Sequence, residues 1–128
     1  MFASAISRWA PRLHGDVVLG LRAAFPMVAE HLPAVEETGV LMPLFPGSFS
    51  GYCHRPLQLR AEIRAARLEC VDLIGIQGIA FALPDLDERM ADPQARAIVL
   101  EAARTLERVP ELLGISPHLL ATTRREDS

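Results

Sequence analysis

Leu59, Ile63 and Ala66 recur at spacings of four and three residues, with Arg60, Arg64 and Arg67 on another face, which predicts an amphipathic helix with Pro56 in its first turn. Leu68 to Ile76 follows as a nearly unbroken apolar run, interrupted by Glu69 and Asp72 and rich in β-branched residues, as a mostly buried strand should be. Upstream, "MFASAIS" alternates Phe2, Ser4 and Ile6 with Ala3 and Ala5, which predicts a short strand. Downstream, Asp92 and Pro93 have the order of an N-cap and a first helical residue, and Ile98, Ala102, Leu106 and Val109 form the stripe expected to be buried before Pro110 ends the helix. One more strand is expected from His118 to Thr123, followed by a charged tail.

Between these units, residues 8–49 read as a broken helical insertion. Pro11, Pro26, Pro33, Pro43 and Pro46 each end or kink a helix, leaving short helices over residues 15–24 and 26–38, the second bounded by Gly39. "LMPLFPGSFSG" is read as a loop. The whole predicts a single α/β domain over residues 1–128: a first strand at 1–7, the insertion at 8–49, and a helix–strand–helix–strand part at 50–128.

Composition narrows the class. Half of the 128 residues are hydrophobic and 23% are charged, which excludes general disorder, and no apolar run is long enough to span a bilayer. A net charge of -3 lacks the basic footprint of a nucleic-acid binder. "MFASAISRWAPRLHG" has too short an apolar stretch for a secretory signal, so a cytoplasmic location is expected, with no membrane partner. Cys53 and Cys70 are then expected as thiols. All 13 basic residues are Arg, and Lys and Asn are absent, a codon signature of a high-GC bacterial genome.

Most of the chemical candidates have a structural explanation. Cys53-His54 looks like a nucleophile beside a base, but neighbours on an extended segment point in opposite directions. The simpler reading makes His54 a cap for the helix at Pro56 and Cys53 a half-buried hydrophobe. His14, His31 and His118 are scattered singly. Asp85, Asp87, Glu88 and Asp92 lack the spacing of a calcium loop, and "GIQG", Gly75 to Gly78, lacks the three-glycine phosphate turn. No set of residues has the spacing of a metal site.

The order of whole segments says more. "FASAISRWAPRL", "GYCHRPLQLRAEIRAARLECVDLIGIQG", "ALPDLDERMADPQARAIVLEAARTLE" and "ELLGISPHLLATTRRE" together resemble the C-terminal half of class I S-adenosylmethionine-dependent methyltransferases, bacterial small-molecule members in particular. The resemblance implies the C-terminal part of a Rossmann-like sheet. Its three short strands would be the family's fifth, sixth and seventh, in the spatial order 5-7-6, with the last strand central and antiparallel and with helices flanking the sheet. The family's cofactor elements belong to an N-terminal half and have no counterpart here. The resemblance therefore implies a substrate-side portion, inactive alone, with no cofactor-binding residue and no S-adenosylmethionine bound by this chain by itself. The alternative is a non-catalytic interaction module derived from such an enzyme.

Ligands of open α/β sheets bind beyond the carboxyl ends of the strands, which singles out Ser7, Arg8 and Trp9. The resemblance adds Tyr52 as an aromatic wall for a small-molecule acceptor and His54 as a general base. With the neighbouring strand missing, the outer edge of strand 2–7 is expected to be bare, open to self-association or to a partner.

Overall fold

A computed structural model describes residues 1–127. The three strands expected from the sequence are present as the first, fourth and fifth of five: β1 (Phe2–Ser7), β2 (Val40–Leu41), β3 (Gly51–His54), β4 (Leu68–Gly75) and β5 (His118–Arg125). They form one open mixed sheet in the order β2-β3-β1-β5-β4. The last strand lies between β1 and β4 and runs antiparallel to both. Its register puts Leu119 opposite Ala5 and Gly75, and Ala121 opposite Ala3 and Leu73.

Two corrections follow from β2 and β3. The sheet has five strands, not three, because Gly51–His54 pairs parallel with β1 and then antiparallel with Val40–Leu41. Consequently the outer edge of β1 is not bare along its whole length. Ile6 and Ser7 are matched with Cys53 and His54, and only Phe2 to Ala5 lack a partner strand on that side. Residues 8–49 are accordingly a helical insertion that also contains the short strand β2.

The helices are α1 (Leu21–Ala24), α2 (Val28–Thr38), α3 (Pro56–Ala65), α4 (Leu86–Ala91) and α5 (Pro93–Leu106), with 3₁₀ turns at Ala80–Ala82 and Pro110–Ile115. Pro33 does not break α2. Its fixed φ is already helical, and the helix runs on to Thr38 before Gly39 ends it in the left-handed conformation. Pro11–Val18 forms a π-helix in which the Leu19 N–H donates to the His14 carbonyl, five residues back, at 2.9 Å.

The main core joins Leu59 and Ile63 of α3 to Leu73, Leu113, Leu119 and Ala121, with Ala3 and Ala5 packed against them. Leu59 and Ile63 are on the helix face predicted from the periodicity, whereas Ala66, the third position expected there, is exposed at the C-cap. The cluster shows which face of β1 points inward. A second apolar layer comes from Val28, Leu32 and Val35 of α2. By contrast, the stripe assigned to α5 is not buried: the helix has no buried residue and Ile98 is 66% exposed. The helix is well capped, with Asp92 accepting from the Ala95 N–H at 3.0 Å, but α4 is the element it contacts most. Among the described residues no helix is long and apolar enough to cross a membrane.

Candidate functional site

The carboxyl ends of β1 and β3 lie side by side, and this parallel pairing brings Ser7, Arg8 and Trp9 next to Tyr52 and His54. Ser7 is fully buried, and its hydroxyl donates to the Gly114 carbonyl at 2.9 Å. Arg8 is also buried and uses its whole fork. Nε donates to the Cys53 carbonyl at 2.8 Å, Nη1 to the Glu36 and Glu37 carbonyls at 3.2 and 3.3 Å, and Nη2 to Tyr52 Oη and Gln58 Oε1 at 3.3 and 2.9 Å. None of these five acceptors is a carboxylate. The charge is met instead by carbonyls of the last turn of α2, the negative end of that helix. Arg8 thus ties the insertion, β3 and α3 to the end of β1.

Tyr52 and His54, two apart on β3, share a face; their rings meet edge-on at 4.9 Å. Cys53 points the other way and is fully buried, so burial raises its thiol pKa, and the cationic Arg8 offsets this only in part. It is more deeply enclosed than the half-buried hydrophobe expected. His54 does not cap α3. Its Nε2 lies 2.8 Å from Glu62 Oε2, and because a carboxylate only accepts, this nitrogen carries the proton. His54 Nδ1 is buried without a partner. Arg55, the residue before α3, sets its guanidinium 5.7 Å from the centroid of the Trp9 ring.

Beside this cluster lies a cavity of about 370 Å³, lined by Ile6 from β1, by the π-helix, and by Leu32 and Val35 of α2. Its lining contains no charged residue, but it does contain His14 and His31. None of Ser7, Arg8, Trp9, Tyr52 and His54 is among the lining residues. The two histidines are far apart in sequence and on different helices, and only the packing of the insertion brings them to one cavity.

Several other sequence features have local roles. Gly75 passes so close to Ser116 that a Cβ would stand 2.9 Å from the Ser116 Cβ, and the Gly78 N–H donates to Ser116 Oγ at 3.0 Å. "GIQG" is therefore a turn built around a serine. His118 Nδ1 pairs with Gln77 Oε1 at 2.8 Å. Of the acidic loop, Asp85 pairs with Arg89 at 2.8 Å and Asp92 is spent on its cap. Among the described residues no group of three His, Cys, Asp or Glu side chains is placed to hold a metal ion.

The residues present do not fit S-adenosylmethionine. No glycine turn carries one of the two parallel strands into a helix: β1 runs on through Arg8 and Trp9, and β3 through Arg55. Two carboxylates beside those strand ends are already taken, Glu36 by Arg12 and Glu62 by His54. No protein-family model, no curated protein and no solved structure matches the chain.

Proposed function

We propose that this chain is the substrate-side portion of a class I S-adenosylmethionine-dependent small-molecule methyltransferase. The observation that carries the reading is the order β1-β5-β4 with β5 antiparallel to both neighbours, reached through α3 and β4. It is the arrangement that the resemblance to the family's fifth, seventh and sixth strands implies. In this reading the sheet is the end of a Rossmann-like sheet, and the insertion encloses the acceptor above the end of β1. The methyl donor is held by residues outside those described, since nothing among them fits it. Transfer by direct displacement depends chiefly on alignment, so what this portion contributes is orientation of the acceptor. In this reading His54, whose Nε2 pairs with Glu62 and whose Nδ1 is buried, would act as a base only after its ring turns to free a nitrogen.

The genomic DNA upstream of Met1 tests the reading. A reading frame that continues into a strand, a glycine-rich turn and a helix supports it, and an in-frame stop directly before Met1 ends it. Calorimetry tests the claim about the donor: the isolated chain should give no heat of binding with S-adenosylmethionine, and micromolar affinity would overturn that part.

A second reading, an interaction module, is favoured by the unpaired edge from Phe2 to Ala5 and by Phe2 being 72% exposed. A partner strand added there would cover backbone groups that have no sheet neighbour. Sedimentation velocity over a hundredfold range of concentration separates the two: a constant monomer that stays monomeric with Phe2→Lys speaks against the module.

A further inference from the structure

The exposed stripe of α5 borders a groove whose other side is apolar as well. The groove, about 210 Å³, is lined by Ile98, Ala102 and Leu106 from the helix and by Ile79, Leu112 and Ile115 from the turns that follow β4 and precede β5. Ile98, Ile79 and Leu106 are 66%, 56% and 41% exposed. Three large apolar side chains left in water around one groove form a contiguous patch, which marks an interaction surface in a way that singly scattered residues do not. The space is smaller than the pockets that enclose a small molecule, so it suits side chains of a facing element.

The order along the stripe defines that element. Large, small and large residues at i, i+4 and i+8 read the same in both directions about Ala102. A second α5 laid antiparallel across the first, with the two-fold axis at Ala102, sets Ile98 of each copy against Leu106 of the other and lets the backbones approach at the small residues. Ridges of this i±4 spacing give the commonest class of helix packing, and an isologous contact closes at two copies. The charged residues of the groove agree. They are Arg89, from the helix that leads into the amino end of α5, and Glu107, directly after its last residue. Antiparallel copies bring the Arg89 end of one groove to the Glu107 end of the other, whereas parallel copies would put like ends together. Both already have partners in the chain, Asp85 and Arg108, so they select orientation more than they add strength. We infer that the chain forms a two-fold symmetric dimer through α5, the groove of each copy being filled by the α5 stripe of the other. The inference goes beyond the proposed function and does not depend on it, because a strand added beside Phe2 to Ala5 lies on the side of β1 away from β5 and β4.

Sedimentation velocity of the full chain tests it, and a monomer–dimer equilibrium in the micromolar range is expected for so small an interface. Ile98→Glu, at an exposed position, should weaken the dimer at least about tenfold, since each copy loses an apolar contact and gains a carboxylate to desolvate. Phe2→Lys should leave it unchanged. In a Cys70→Ser background, Ala102→Cys should give a disulfide-linked dimer under mild oxidation, because a residue on the axis meets its own copy at bridging distance. Gln94→Cys, eight residues from the axis, would hold its two copies roughly 20 Å apart and should stay reduced. Circular dichroism should be the same for every variant. The inference is overturned if the native chain is monomeric throughout the micromolar range or grows beyond a dimer. It is also overturned if the dimer is lost with Phe2→Lys but kept with Ile98→Glu, or if Gln94→Cys crosslinks as readily as Ala102→Cys.

Discussion

Gly39 makes room for Arg8: a Cβ built on the glycine would stand 2.8 Å from the Arg8 Nη2 and 2.7 Å from the Tyr52 Cζ. Its φ of 83° is also one that other residues rarely adopt. Gly39→Ala is therefore expected to cost about 3 kcal/mol, combining left-handed strain with overpacking. Urea denaturation checks it, and a loss below half of that would show that Arg8 and Tyr52 move aside freely.

The Arg8 fork makes a conservative exchange damaging. Lysine keeps the charge but has three donors for five acceptors, so at least two of them, the buried Cys53 carbonyl among the candidates, lose the bond that Arg8 gives. Arg8→Lys should destabilise the chain by roughly 2 kcal/mol. Amide exchange should also rise in β3 and the last turn of α2 before it rises in β4, and a uniform rise would refute this local role.

The two thiols should react at different rates. Cys70 is partly exposed, whereas Cys53 is buried and its pKa is raised by that burial. At pH 8 a thiol reagent should label one cysteine quickly and the second only after denaturant is added, with mass spectrometry of digests locating the slow label on Cys53. Equal rates would contradict the packing of β3.

Acid should weaken the fold over a defined range. Hydrogen bonding to Arg12 holds the Glu36 carboxyl below its ordinary 4.5, and Arg108 and Arg89 hold Asp72 and Asp85 below their ordinary 3.8. A carboxylate whose folded pKa is lowered contributes stability above its unfolded pKa and loses it as pH falls through the folded value. From these three pairs, unfolding free energy should be level from pH 7 to 5 and decline below about 4.5. Glu36→Gln should make the decline shallower, and an unchanged slope would show that the Arg12 pair adds nothing.

The elements legible in the sequence were those that bury a face. The α3 stripe and the apolar run of β4 pack against each other, so periodicity reported them directly. β3 was hidden because, of its four residues, only Cys53 is buried, and a single inward residue makes no pattern. The α5 stripe misled for the opposite reason, being well-formed amphipathic spacing without a surface to cover it. Arg8 was found from its place after a strand, but its saturation by carbonyls depends on where α2 ends, which no local signal records. His14 and His31 look scattered in the sequence because they lie on separate segments, and the cavity that both line is created by the insertion's tertiary packing.

The sheet order also has a consequence for how the molecule assembles. The middle position among β1, β5 and β4 is taken by the strand made last, so β1 must hold a place open for a neighbour more than a hundred residues away. Pairings of such long sequence separation form slowly. During synthesis α3 and β4, neighbours in the chain, can meet early, but both complete their packing only when β5 arrives. The first strand can pair early with β3 only through Ile6 and Ser7, and Phe2 to Ala5 wait until His118–Arg125 leaves the ribosome and closes the sheet.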